Sequence, residues 1–254
     1  MLVVIPISSS DEKLIDNFCN TLQFFGSYKK HSALVVSRPS DASFSKTVFK
    51  KIKSLFKEVH LHIFKINGPT GWPAGPNFYW NRTILFLEQK KNKLPWLWME
   101  TDMIPVKLGW LDKIEKEYKK CDKNFMGCIE PSSYGYWEHL SGCAIYPHNI
   151  NKYCTWWKWV HKKNAAFDLI CAKQIIPNSH NTKSIRNLFR TSNFEFKKGK
   201  ITGTVNNKTT TKSASVFFLE KKDYTFIIKN KKTLLIHGCK DETLSNIIIN
   251  NKLF

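Results

Sequence analysis

Two carboxylates one residue apart, Glu100 and Asp102, close one of the most apolar runs of the chain, Pro95-Trp96-Leu97-Trp98-Met99. The sequence has only 20 acidic residues among 254, so two of them here ask for a reason. Carboxylates this close repel unless a cation or a base neutralises them, and hard cations such as Mg²⁺ and Mn²⁺ take oxygen ligands. The chemistry on offer is a divalent cation that holds a diphosphate. A plain alternative is that Glu100 ends a strand and Asp102 opens a turn before Pro105.

A second candidate is NGPTGWPAGPN, residues 67–77, with three glycines and three prolines between a strand and a helix. Glycine permits close backbone approach to a ligand and proline stiffens the loop. Asn77 and the helix N-terminus behind it are suited to an anion or a base edge, although a rigid turn explains the same residues. The stretch lacks the Lys-Ser/Thr of a P-loop and the spacing of a dinucleotide fingerprint. Arg82 lies on the same helix. It is one of four arginines, with Arg38, Arg186 and Arg190, which marks it as a candidate phosphate or ribose contact.

The elements that must position these residues follow from hydrophobic periodicity. Residues 2–7 read as a buried strand; a Ser-rich loop leads to a helix bearing Leu14, Ile15, Phe18, Leu22 and Phe25, capped near Ser10 and Asp11 and stopped at Gly26. The pattern repeats through the strand SALVVSRPS, the helix SFSKTVFKKIKSLFKE, the strand VHLHIF, the helix NFYWNRTILFLEQKK and the strand LPWLWME. Such alternation predicts an α/β fold with a mostly parallel, doubly wound sheet and helices on both faces. Ligands of such sheets bind outside the carboxyl ends of the strands, which is where Glu100 and Asp102 fall.

After the helix GWLDKIEKEYKK come two short strands, NFMGCIEP and LSGCAIYP, around the loop SSYGYWEH. Helical segments are expected near 149–161 and 165–176, then a polar excursion over about 177–223, the strands YTFIIKN and KTLLIHGCKDETL, and a short C-terminal helix. No clean linker interrupts the chain. The expectation is a single domain with a nucleotide-binding half, 1–120, and an acceptor half, 121–254.

Formal net charge is +20, which suits a polyanion or an anionic membrane surface. Lysine supplies nearly all of it, often beside Asn and Ile as in IIINNKLF, a usage that an AT-rich genome would also write, so a solvated lysine surface stays open as the alternative. The seven cysteines are scattered without a C-x-x-C pair, which signals neither a disulfide framework nor a zinc knuckle and fits a reducing compartment. MLVVIPI lacks a basic region and is too short for a signal or a span, and no apolar run approaches 18 residues. The expectation is a soluble, cytoplasmic protein, in the host cytoplasm if the source is viral.

Taken together, VVIPISSS, WLWMETDMIPV, LSGCAIYP and LLIHGCKDE resemble, in order and spacing, the GT-A glycosyltransferases, whose signature is an acidic D-x-D or E-x-D after a hydrophobic strand. The likeness extends loosely over most of the chain. It implies a GT-A, Rossmann-type sheet and a divalent cation, Mn²⁺ or Mg²⁺, on Asp102, with Glu100 on the cation's waters or the donor ribose. A C-terminal His completes the metal shell in several branches and a nearby Lys meets the phosphates. His237 and Lys240 match in order, but their spacing is shorter than usual. The resemblance further implies donor contacts from Pro6, Ser8, Arg38, Asn77, Arg82, Thr101 and Gly142, the last leaving room for the donor sugar. Glu138 and His139 are candidate sugar or acceptor contacts, with Tyr134, Tyr136 and Trp137 as sugar platforms or packed aromatics. Asp168, or alternatively Glu138, would take the acceptor proton.

The implied activity is transfer of a sugar from a nucleotide-sugar, with UDP favoured, to a hydroxyl. The charge points to hydroxymethylated bases in DNA, as in phage DNA glycosyltransferases, or alternatively to a cell-surface glycan or lipid precursor. Two rival classes remain: a nucleotidyltransferase, although PISSSDEK supplies no Gly-rich basic loop, and a non-enzymatic nucleic-acid-binding protein, which leaves E-x-D unexplained.

Overall fold

Leu2–Ile7, a run of β-branched and aliphatic residues buried on both faces, forms β1, as its continuous apolar pattern requires. The computed structural model describes residues 1–130, 138–187, 194–197, 200–205, 208–209, 232–239 and 243–250. In chain order there follow α1 (Glu12–Phe24), β2 (Tyr28–Ser37), α2 (Ala42–Ile52), β3 (Phe56–Ile63), α3 (Ala74–Gln89), β4 (Trp96–Trp98), β5 (Ile104–Pro105), α4 (Trp110–Lys120), β6 (Phe125–Gly127), β7 (Ile129–Glu130), β8 (His139–Leu140) and β9 (Ile145–Tyr146). Then come α5 (Phe167–Ile170), α6 (Ala172–Ile175), β10 (Ser179–Asn181), β11 (Ile185–Asn187), β12 (Phe194–Lys197), β13 (Lys200–Val205), β14 (Lys208–Thr209), β15 (Leu235–His237) and a final helix, Thr243–Asn250.

The central sheet has seven strands in the order β10-β6-β9-β4-β1-β2-β3. β1, β2, β3 and β4 run parallel, and β9 lies antiparallel between β4 and β6. β1 therefore has β2 on one side and β4 on the other, so the winding direction reverses between β1 and β4. Their ladder ends at Val4 and Trp98, with the Met99 amide donating to the Val4 carbonyl at 2.9 Å. Beyond that point the strands part. Pro6, which has no amide to donate, lies in this unpaired stretch of β1 facing β4, so it costs no ladder bond on that side.

A second sheet, β11-β15-β5, stands beside the end of β4. β5 follows Glu100 and Asp102 by two residues, and its antiparallel pairing with β15 brings His237 back to them. Gly238, at φ +95°, turns the chain after β15 so that the Cys239 amide donates to the Asp102 carbonyl at 3.0 Å. A residue with a Cβ resists that left-handed conformation.

Below the parting strands lies an aromatic layer. Trp96 stacks on Tyr146 at 4.5 Å between ring centroids, Trp80 stacks on Phe167 at 4.4 Å, and Trp98 meets Phe167 edge-on at 6.3 Å. The apolar run that precedes the carboxylates thus packs as the floor beneath them.

Two expectations need correction. Residues 149–161 are helical in short 3₁₀ stretches, Ile150–Lys152 and Trp156–Lys162, and the longer one buries Trp157 and Val160, three residues apart as a three-residue turn requires. The excursion over 177–223 contains β10, β11 and a three-stranded antiparallel sheet, β12-β13-β14, because backbone pairing among Thr, Ile and Val needs no long apolar alternation. YTFIIKN lies outside the described residues. Trp96→Ala is expected to lower stability by about 3–5 kcal/mol, read as a lower urea midpoint at unchanged slope, because it empties a site 1% exposed between Tyr146 and Trp98.

Candidate active site

Where β1 and β4 separate there is a cavity of about 550 Å³. Its walls come from the end of β1 (Pro6 to Ser8), the turn after it (Ser10, Asp11), Arg38, the 70–76 loop, Glu100 to Asp102, Ser141 to Cys143, Ala166 to Asp168, and His237 with Gly238. The volume suits a small ligand of nucleotide size. Most of the residues singled out in the sequence meet here although they lie on seven separate segments.

The metal candidates converge. His237 Nε2 lies 3.6 Å from Glu100 Oε2 and 3.5 Å from Asp102 Oδ1, and Asp102 is 1% exposed. Ligands about 2.1 Å from one ion stand about 3–4 Å from each other, so each carboxylate stands from the imidazole as two ligands of one Mn²⁺ or Mg²⁺ ion would. The Trp98 indole donates to Glu100 Oε1 at 3.1 Å and fixes that side chain.

The imidazole is oriented from behind. Asn187 Nδ2 donates to Glu130 Oε1 at 2.8 Å, which turns Asn187 Oδ1 toward His237 Nδ1 at 3.1 Å. An amide oxygen only accepts, so Nδ1 carries a proton and Nε2 is the ring nitrogen turned toward the two carboxylates, where it can meet a cation once it carries no proton. Ser141 Oγ supports Asn187 Oδ1 at 3.4 Å.

Asp168 is held by amides: Gly142 N–H donates to Oδ2 at 3.2 Å and Leu169 N–H to Oδ1 at 2.9 Å. Burial raises its pKa from the ordinary aspartate value and the Glu100 charge adds to this, against the opposing pull of His139 and the two amides. Asp11 is pushed up to about 6, chiefly by burial and then by the charges of Glu100 and Asp102, against the hydrogen bond from the Ser8 amide. The same Asp11 closes a capping box with Ser8, so it terminates the turn and forms the cavity wall at once.

Arg38 is 3% exposed and its guanidinium is held on several sides. Nε donates to Asp41 Oδ2 at 2.7 Å, Nη1 to the Pro69 carbonyl at 3.0 Å, and Nη2 lies 3.5 Å from Ser8 Oγ. The Tyr79 hydroxyl stands 2.6 Å from the Ile7 carbonyl and 2.7 Å from Asp41 Oδ2. Burial works against the Asp41 charge, but the hydrogen bonds from Arg38 and Tyr79 and the Arg38 charge hold its pKa below the ordinary value. This buried cluster joins the ends of β1 and β2 to the 67–77 loop.

Pro6, Ser8, Arg38, Glu100, Thr101, Asp102, Gly142, Asp168 and His237 all line the cavity. Among the described residues Asn77, Arg82, Glu138 and His139 do not. Asn77 is fully buried and donates to the Val160 and Ala165 carbonyls at 3.1 and 2.8 Å, so it fastens the 156–166 segment to α3. Arg82 lines a neighbouring groove with Phe78, Trp157, Lys158 and His161. Glu138 is exposed and outside the cavity. Lys240, with Tyr134, Tyr136 and Trp137, lies outside the described residues. Gly142 has a different use from the one expected: a Cβ there would stand 2.8 Å from the Phe167 ring, so the space it leaves is filled by Phe167. Asp11, Cys143 and Asn187 were not singled out for the site, and Asn187 carries no motif by which it could have been.

No family model matches the chain, and no curated protein matches it. Solved structures do. An active-site mutant of the galactosyltransferase LgtC superposes with a TM-score of 0.51 at 9% identity, over 74% of this chain and 75% of that one. Mouse xyloside xylosyltransferase 1 gives 0.48 at 9% identity over 73% and 87%, and residues 1–349 of S. aureus TarS give 0.42 at 17% identity over 59% and 48%. The chain has the GT-A fold: a single α/β domain built on a mostly parallel sheet.

Two outcomes follow from the geometry. Asn187→Ala frees the His237 ring and is expected to weaken Mn²⁺ binding about 10–100-fold, read by calorimetric titration. Asp11 binds its proton more tightly folded (about 6) than unfolded (3.8), so its contribution to stability is full at pH values below 3.8 and is lost as pH rises through about 6. Asp11→Asn should flatten that part of the curve of melting temperature against pH.

Proposed function

We propose that the chain is a glycosyltransferase that moves a sugar from a nucleotide-sugar, a UDP-sugar in the first instance, to a hydroxyl acceptor with the help of Mn²⁺ or Mg²⁺. The observation that carries this reading is the set Glu100, Asp102 and His237, oriented from behind and placed where β1 and β4 part in a GT-A fold. A bound divalent cation neutralises charge that develops on the leaving diphosphate.

The remaining work falls to the chain's own groups. Ser8, Thr101 and the buried Arg38 line the end of β1 and β4, where they are suited to bind the nucleoside and ribose. Trp98 and Phe167 exclude water from below. Asp168, lining the cavity with a pKa raised by burial, is suited to accept the acceptor hydroxyl's proton as the anomeric carbon is attacked. Glu138, exposed and outside the cavity, has less claim to that role.

For the acceptor we favour a hydroxymethylated base in DNA. The net charge of +20 supports it, as does the absence of any acidic residue between Glu138 and Asp168, a stretch that reaches the cavity at Ala166. Among the described residues no helix is long and apolar enough to cross a membrane.

Thermal unfolding against UDP-, GDP- and ADP-sugars, each with Mn²⁺ and with EDTA, tests the donor. One donor should raise the melting temperature only with metal, and Asp102→Ala should abolish the rise. Asp168→Asn should lower kcat about 10²–10⁴-fold with the donor-induced shift retained. Mass analysis of hydroxymethylated against unmodified DNA after incubation with the donor tests the acceptor; no added hexose mass on the former rules DNA out. Release of pyrophosphate in place of a nucleoside diphosphate would identify a nucleotidyltransferase and overturn the reading.

A further inference from the structure

Besides its hard donors, the cavity contains a soft one. A Glu100 carboxylate oxygen, Cys143 Sγ and a His237 ring nitrogen all lie within 4.8 Å of one another, and Cys143 is 1% exposed. Two of the three side chains are held in place, and the backbone beside the third is tied to β4. Trp98 fixes the Glu100 carboxylate, Asn187 fixes the His237 ring, and the Ala144 carbonyl next to Cys143 accepts the Trp98 amide at 3.0 Å.

We infer that Cys143 turns this corner of the cavity into a Zn²⁺ site, formed by Glu100, Cys143 and His237, with a fourth position open to the cavity. Zinc accepts nitrogen, sulfur and oxygen in one tetrahedral shell, with ligand atoms about 3.3–3.7 Å apart. The Glu100 and His237 pair, at 3.6 Å, already meets that spacing, and the pairs made by sulfur lie within about 1 Å of it. Mn²⁺ and Mg²⁺ have little use for a thiolate, and they draw instead on Asp102. On coordination the Cys143 S–H bond breaks, its proton passes to solvent, and an S–Zn bond forms.

The two donor sets share Glu100 and His237 and differ in their third member, Asp102 for the hard cation and Cys143 for zinc. Occupancy is therefore mutually exclusive, and Zn²⁺ acts as a competing inhibitor of metal-dependent transfer. The zinc site stands on the donors alone; the competition rests on the proposed function.

Co²⁺ serves as the optical probe, because a thiolate ligand gives it an intense near-ultraviolet charge-transfer band that carboxylate and imidazole ligands do not. The full chain titrated with Co²⁺ should show this band at one equivalent, and one equivalent of Zn²⁺ should remove it. Cys143→Ser and Cys143→Ala should both lose the band and weaken Zn²⁺ binding at least about 100-fold, more than loss of an outer-shell partner would. Mn²⁺ affinity, followed by electron paramagnetic resonance, should stay within about threefold of wild type in whichever of these variants keeps the native circular dichroism. A band that survives both substitutions belongs to another of the seven cysteines and overturns the site. Mn²⁺ binding without a thiolate band removes the zinc site and leaves the transferase reading intact. A band in a protein that binds no Mn²⁺ keeps the zinc site and removes that reading.

Discussion

Four carboxylates, those of Asp11, Glu100, Asp102 and Asp168, face one cavity in a protein whose surface is overwhelmingly positive. Their mutual repulsion is the constraint around which the site is arranged. Two of them answer it by holding their protons more tightly than usual, and both shifts begin with burial and grow through the neighbouring charges. The other two stand beside the Nε2 of one imidazole, an arrangement that a proton or a metal cation on that nitrogen completes. Arg38, which also lines the cavity, is paired with Asp41. Protons and a bound metal are the two further ways of relieving the charge.

The fold sets these groups against each other by a single topological choice. Because β1 pairs with β4 only through Val4 and Trp98, the backbone beyond is free to diverge, and the carboxylates sit on the diverging end of β4. The aromatic layer keeps that end rigid, since Trp96 and Trp98 alternate along a strand and pack on Tyr146 and Phe167 respectively. Phe167 in turn precedes Asp168, so the floor of the cavity and the carboxyl group above it move as one unit.

Much of this was legible in the sequence, and the limits have physical causes. β1 falls on residues 2–7 as read because six consecutive apolar residues, too few for a helix and rich in Val and Ile, favour a strand buried on both faces. Glu100 and Asp102 stood out because acidic residues rarely follow such a run. Asn77 was misread: a helix start can receive an anion, but here the asparagine amide satisfies two carbonyls of the segment packed on it, a tertiary contact with no local signature. Gly142 was noticed for the right property, absence of a Cβ, and the ring of Phe167 takes up that space at the cavity wall. Asn187 and Cys143 could not be found at all, since each acquires meaning only when β11, β15 and the turn before β9 meet. Asp168 was reached through order along the chain, by resemblance, and no spacing rule would have supplied it.

The buried cluster of Arg38, Asp41 and Tyr79 carries one more consequence. By bonding the Pro69 carbonyl, Arg38 joins the loop of residues 67–77 to the ends of β1 and β2 before any ligand arrives. The conformational entropy of that loop is thus lost when the chain folds, and a ligand that enters meets a wall already set. Recognition on this side of the cavity works as a lock with fixed wards: a ligand of the wrong shape is refused at once, and one of the right shape binds without first having to order the protein around it.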